Sequence, residues 1–260
     1  MEHFLKYRWL IAITLTLTFG GLSYYIYKWE YRKPVLDVYF LSLTRGRSVF
    51  IRTPENKTIL VGGGQNSEVV RELTKRMPFY RRNIDMVIIP SAIPVQIGGL
   101  IEVVERYEVG EIVVPEIMAT STALSLLMRE VRKQKIHVEE VERGDIIEIE
   151  KEISLSVLFP YEGFKFNKTS LPELGLRIDY GETSTYLLGN LSKTVQKDIW
   201  KNLTDAIDIR GENIIEYYHS GGDSRVSSDL LEKLDPEFTF TTHEKNTHLR
   251  SDGHFWEKVR

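Results

Sequence analysis

From Trp9 to Tyr27 the chain runs 19 residues without a formal charge, WLIAITLTLTFGGLSYYIY. Wound as a helix at about 1.5 Å per residue it reaches roughly 28 Å, close to the hydrocarbon thickness of a bilayer. The run is expected to be one transmembrane helix, making residues 1–33 an anchor with its flanks and the protein single-pass. Its threonines and Ser23 can bond back to helical carbonyls, and Trp9, Tyr24, Tyr25, Tyr27 and Trp29 stand where an aromatic belt belongs. A buried core helix is one competing reading and a cleaved signal peptide another. Lys6 and Arg8 suit the signal peptide, but the hydrophobic run is long, and bulky Tyr24 and Tyr25 occupy the place of small residues. An uncleaved anchor is the expectation. Lys6, Arg8 and the terminal amine on one flank balance Lys28, Arg32 and Lys33 on the other, so charge does not choose the side of the remaining chain.

Residues 34–260 have a different texture. The full chain of 260 residues is 42% hydrophobic and 27% charged, an ordinary globular make-up that allows one large domain or two small ones. A net charge of −3 argues against a surface built throughout to attract nucleic acid. With no cysteine, disulfides, thiolate metal sites and a cysteine nucleophile are excluded.

After Pro34, short alternating or apolar runs predict strands over residues 35–43, 48–52, 58–61, 84–89, 111–114, 137–141, 146–149, 154–159, 174–180, 185–188, 213–217 and 238–241. Apolar residues at three and four spacing predict helices at about residues 67–77, 96–107, 120–133, 193–203 and 227–234. This order suggests a layered α/β domain with mixed sheets. Its two comparable halves, about 35–135 and 145–260, would each supply one of two face-to-face sheets with helices outside. Thr53-Pro54-Glu55-Asn56-Lys57 and Tyr180-Gly181-Glu182-Thr183 have the chemistry of surface hairpin turns. Gly62-Gly63-Gly64 lies between a strand and a helix, as a phosphate cradle does, but lacks the lysine and hydroxyl residue of a P-loop. A tight backbone passage is the expectation there.

The order of these segments resembles a family. LDVYFLSLTRGRSVFIRTPENKTILVGGG is similar to the opening of the ComEC-type metallo-β-lactamase domain, LxVxFLDVGQGDAxLIxTPxGKxxLIDGG. IDMVIIPSAIPVQIGGLIEVVERYEVGEIVVPE resembles LDxLxLTHxHxDHIGGLxxVLxxFxVxxVxxP. LGLRIDYGETSTYLLGNL stands in the place of a strand pair ending in TGD, and NIIEYYHSGG in that of DVLKVxHHGS. The resemblance covers most of residues 34–260 and implies a metallo-β-lactamase-like αββα sandwich after the N-terminal helix.

The departures fall on the chemistry. In that family histidines and aspartates at the strand ends hold one or two metal ions, which lower the pKa of water and polarise a phosphoryl or carbonyl group. In place of the His-x-His-x-Asp-His run this chain has Ser91, Ile93, Val95 and Gln96. Gly62 replaces the aspartate of the first Asp-Gly-Gly, Arg47 that of the Gly-Gln-Gly-Asp turn after Arg45, and Asn190 that of TGD. Of the paired histidines only His219 remains, with Ser220 following. One imidazole supplies about 4 kcal/mol of metal affinity, against about 10–16 kcal/mol for structural zinc. The resemblance therefore implies a metal-free domain with no cofactor and a vestigial cleft of Arg45, Arg47, Gln96, Asn190 and His219 around an apolar floor of Ile93 and Val95. Arg47 puts a permanent positive charge in that cleft, which would favour an anionic partner. The Tyr180-Gly181 turn, Asp85, Gly98-Gly99 and Gly253-His254 match positions that look structural.

Other constellations have blander readings. His243, His248 and His254 near Glu244 and Asp252 could form a loop metal site, but their spacing fits no His-Glu-x-x-His helix, and hydrated loop histidines are expected. Ser220 and His219 adjoin in sequence and so point to opposite faces of a strand, which opposes a nucleophile and base pair. The clusters Arg71, Lys75, Arg76, Arg81, Arg82 and Arg129, Arg132, Lys133, Lys135 could touch phosphates. Interleaved Glu72 and Glu130 favour solvated helix faces. Three functions follow as expectations. The first is a membrane-tethered pseudoenzyme, an accessory in DNA uptake (competence) or envelope assembly that binds a protein or nucleic-acid partner. The second is a metal-dependent phosphodiesterase or nuclease with a rebuilt site. The third is a structural protein-interaction module unrelated to DNA.

Overall fold

The structure is a computed structural model that describes residues 8–30, 34–116, 120–164, 173–203, 211–217, 226–241 and 246–259. The chain divides into two compact units, Met1–Pro34 and Val35–Arg260.

In the first unit, α1 (Arg8–Glu30) is one unbroken helix of 23 residues. Thr16 and Thr18 donate from their hydroxyls to the carbonyls of Ala12 and Thr14 at 2.8 and 3.0 Å, which satisfies polar groups within the helix itself. Among the described residues no helix is long and apolar enough to cross a membrane. Apart from Trp9, the side chains described in α1 run only from residue 12 to residue 24, roughly 20 Å of helix. The transmembrane expectation therefore gains no support from the structure.

The second unit places fourteen described strands in two sheets. They are β1 (Leu36–Leu41), β2 (Ser48–Arg52), β3 (Thr58–Val61), β4 (Asn83–Ile88), β5 (Glu108–Pro115), β6 (His137–Val141), β7 (Ile146–Glu150), β8 (Ile153–Phe159), β9 (Gly175–Tyr180), β10 (Thr183–Gly189), β11 (Glu212–Tyr217), β12 (Phe238–Thr241), β13 (Thr247–Ser251) and β14 (Trp256–Val259). The helices are α2 (Glu68–Thr74), α3 (Pro94–Arg106), α4 (Thr122–Gln134), α5 (Lys193–Leu203) and α6 (Ser228–Leu234). One sheet has the order β14-β13-β1-β2-β3-β4-β5-β6, the other β12-β11-β10-β9-β8-β7. Val38, Ile51, Ile88, Leu155, Leu176, Ile178 and Ile214 fill the space between the sheets. Leu73, Val87, Ile97, Leu100, Val103 and Leu127 pack helices onto the first sheet, while Leu158, Leu188, Ile199, Ile215 and Leu230 pack helices onto the second. The result is an αββα sandwich, as expected from the sequence.

Both predicted hairpins form. Thr53 and Lys57 close the β2–β3 turn, with Asn56 in the left-handed region at φ 66°, and the Tyr180–Thr183 turn joins β9 to β10. The helices and first twelve strands fall within a few residues of their expected places. The division into two sequence halves needs correction: β13 and β14 join the first sheet, where β13 pairs antiparallel with β1 from Leu36↔Ser251 to Phe40↔Thr247. These two strands were not anticipated. In β13 the buried face is Thr247, Leu249 and Ser251, alternating with His248 and Arg250, so a single apolar residue is all the periodic signal the strand carries.

A buried arginine and two glutamates at the candidate functional site

The loops at one end of the sandwich hold the expected cleft residues, and glycine permits their approach. Gly46 has φ 80°, and a Cβ there would stand 1.9 Å from the carbonyl oxygen of Val95, so the turn before β2 seats directly against the start of α3. Pro94 occupies the first turn of α3, with Ile93 extended before it. The Gly62–Gly64 passage joins the two segments: the amide of Gly63 donates to the carbonyl of Gln96 at 2.8 Å, and that of Gly64 to the carbonyl of Arg47 at 3.2 Å. The glycines thus form a backbone bridge, in agreement with the structural reading of that motif. The amide of Leu174 donates to the carbonyl of Pro90 at 2.7 Å, tying the chain before β9 to the end of β4.

Arg47 is 4% exposed and lies between two buried carboxylates. Its Nε donates to Oε1 of Glu173 at 2.9 Å, Nη2 donates to the same oxygen, and Nη1 donates to Oε2 of Glu216. Glu173 also accepts the amide of Asn190 at 2.8 Å, which places the cluster at the end of β10. Gly189, at φ 55°, lets it in: a Cβ there would fall 2.2 Å from Nη2 of Arg47. Burial lowers the tendency of Arg47 to hold its proton, but the charges of Glu173 and Glu216 more than offset this and raise its pKa. Burial raises the pKa of Glu216, assisted by the charge of Glu173 and opposed by Arg47.

The sequence-predicted residues meet different fates. Arg47, Gly62 and Gln96 come together through their backbones, and Asn190 joins them through Glu173. Ser91 is buried, and its hydroxyl accepts the Ile93 amide at 3.4 Å. Ile93 and Val95 are partly buried at the start of α3, Arg45 is exposed, and the Asn190 side chain lies outside the cluster. Gln96 is buried with its Oε1 unpartnered. His219, Ser220 and His243 lie outside the described residues. Arg47 corrects the sequence reading: its guanidinium is buried and engaged, so it does not offer a charge to an anionic partner. His248 is also corrected, since it belongs to β13 rather than a loop. It is stacked on Tyr39 with ring centroids 4.1 Å apart, and Nε2 lies 2.6 Å from Asp37. His254 is in the β13–β14 turn, 3.3 Å from Glu182. Lys133 pairs with Glu130 on an exposed helix face, as expected, whereas Glu72, which pairs with Lys75 and Arg76, is buried rather than solvated.

The residues present do not fit a metal ion. Ile93 and Val95 carry no donor atoms, and Glu173 and Glu216 are turned onto a guanidinium. Arginine remains protonated and cannot serve as a general base. Among the described residues no three His, Asp or Glu side chains gather as a metal site would require. Sequence reasoning missed Glu173 and Glu216. A signal existed for the second: the family pattern has aspartate at the place of Arg47 and lysine at that of Glu216, so both signs are reversed together.

The two-sheet αββα architecture is that of the metallo-β-lactamase fold. The B. subtilis metallo-β-lactamase fold protein YhfI superposes with a TM-score of 0.53 at 11% identity, over 81% of this chain and 86% of its own. A long form RNase Z from yeast gives 0.52 at 9%, over 80% and 37%. CmlA, a diiron β-hydroxylase from Streptomyces venezuelae, gives 0.51 at 17%, over 82% and 45%. In sequence the chain resembles ComE operon protein 3 of Bacillus subtilis (strain 168), to which it is 22% identical over 229 residues, 81% of this chain. It spans 28% of the length of that relative. No family model matches the chain.

Proposed function

We propose that this chain is a membrane-anchored, metal-free and non-catalytic protein built on the metallo-β-lactamase scaffold, serving DNA uptake or envelope assembly by binding a protein partner. The observation that carries this reading is Arg47 buried between Glu173 and Glu216 among the residues that stand in place of the metal ligands. A buried guanidinium repels a divalent cation and occupies the carboxylates that might have held one. For the anchor, the support is the 19 uncharged residues within an unbroken α1, whose Ile13, Leu15, Leu17, Phe19 and Leu22 leave no continuous polar stripe. The link to DNA uptake rests on the resemblance to the ComEC-type domain alone.

Elemental analysis of the purified full chain tests the metal-free reading. Less than about 0.1 zinc or manganese per chain is expected, with an unfolding temperature indifferent to chelator. One or two equivalents, or a large chelator-induced drop, would overturn it. Resistance to carbonate extraction is expected of the anchor, and release of a chain beginning near residue 24 would identify a signal peptide instead. Titration with single- and double-stranded DNA at two salt concentrations separates the partners. Salt-sensitive binding would establish nucleic acid, and no binding at low salt leaves the protein partner.

A further inference from the structure

Phe79 and Tyr80 are the most exposed large apolar side chains described in the second unit, at 92% and 76%. They follow α2 in a turn closed by the Arg81 amide donating to the Pro78 carbonyl at 2.9 Å. Met77 before them is buried, and Arg81 after them donates to Asp85 at 3.0 Å and Asn83 at 3.2 Å, so the turn is held at both sides. The two rings touch edge to face at 5.5 Å. Beside them is a groove of about 520 Å³ with Val70, Met77 and Tyr107 in its lining and Arg81, Arg82 and Arg106 along it. Glu105 is the one carboxylate in that lining. Arg106 is paired with Glu102, whereas Arg82 is exposed and has no ion pair among the described residues.

We propose that this surface docks on an anionic lipid bilayer, Phe79 and Tyr80 entering the headgroup region while the arginines meet lipid phosphates. Adjacent exposed aromatics beside arginine are suited to the membrane interface, where apolar rings and cations are both accommodated. Single-stranded nucleic acid fits less well: an edge-to-face pair does not present two open faces for stacked bases, and the three arginines line a short groove rather than a track. The inference rests on the anchor reading above. The sequence leaves only Tyr31, Arg32 and Lys33 between α1 and Pro34, and a short tether sustains a high local concentration of an anchored surface near lipid.

The chain has no cysteine, so one introduced thiol carries a unique fluorescent label. Thr74→Cys reports on the groove and leaves both aromatics in place, Glu162→Cys reports on the exposed turn after β8 at the opposite end of the sandwich, and Leu17→Cys reports on α1. Full chains are reconstituted in vesicles containing nitroxide lipid, either one-third anionic or wholly zwitterionic. In anionic vesicles the label at 74 is expected to be quenched about threefold more than that at 162. Phe79→Ala/Tyr80→Ala should abolish the excess, and Arg82→Gln/Arg106→Gln should reduce the docked-to-undocked ratio about fivefold per charge. Equal quenching at 74 and 162, or an excess that is the same in zwitterionic vesicles, overturns the proposal while quenching at 17 leaves the anchor standing. An unquenched label at 17 removes the anchor and the docking proposal with it.

Discussion

Arg47, just before β2 in the first sheet, is paired with Glu216 on β11 of the second, so one buried ion pair joins the two layers at the end where the cleft residues gather. Glu173 approaches the same guanidinium from the chain before β9. Desolvating such a cluster is expensive, and its worth lies mainly in the cost of breaking it unevenly.

Arg47→Met should therefore destabilise the domain by about 3–5 kcal/mol, because two buried carboxylates lose their counter-charge. Adding Glu173→Gln and Glu216→Gln should recover most of that loss. Denaturant unfolding of the three chains measures both steps, and a triple variant no more stable than Arg47→Met would contradict the coupling.

Glu216 makes the same cluster sensitive to pH. Burial, together with the charge of Glu173, holds its carboxyl above the ordinary 4.5 despite Arg47. The native state then keeps the proton over an interval in which the unfolded chain has released it. This contribution is complete below 4.5 and is lost as pH rises through the folded value. The unfolding temperature of Glu216→Gln relative to wild type should accordingly increase from about pH 4.5 to pH 7. A difference that stays flat or falls argues against a raised carboxyl.

Asp37 has the opposite sign. Burial raises its pKa, but hydrogen bonds from His248, Arg52 and Arg250 outweigh this and hold it well below 3.8. Its stabilisation is present above 3.8 and is lost as pH falls through the folded value. Asp37→Asn should cost about 2–3 kcal/mol near neutrality, the gap closing in acid. Thermal melts from pH 7 down to about pH 2 should show the gap constant above about pH 5 and narrowing below 3.8; a gap that does not narrow argues against a depressed carboxyl.

Gly46→Ala should destabilise by about 2–4 kcal/mol, since the turn is left-handed and the new methyl meets the Val95 carbonyl. Gln96→Met removes a buried oxygen that lacks a partner and should be neutral or stabilising by up to about 1 kcal/mol. Their denaturant midpoints should move in opposite directions or, for Gln96→Met, remain in place.

The period-two and period-three-to-four patterns determined most elements, because strands such as β4 are apolar on both covered faces and helices such as α3 are apolar on one. The hairpins were equally legible in Thr53–Lys57 and Tyr180–Thr183, where turn chemistry is local. Replacement of the metal ligands was visible from Ile93 and Val95, whose side chains cannot ligate. β13 was hidden because it is stabilised by pairing with β1, which begins more than 200 residues earlier in the chain. The state of Arg47 was hidden for the same kind of reason. In sequence it is a positive charge in a loop, free to face an anion. Only the packing of two sheets brings Glu173 and Glu216 within bonding distance and removes all three from water, and that desolvation makes the charge an internal tie.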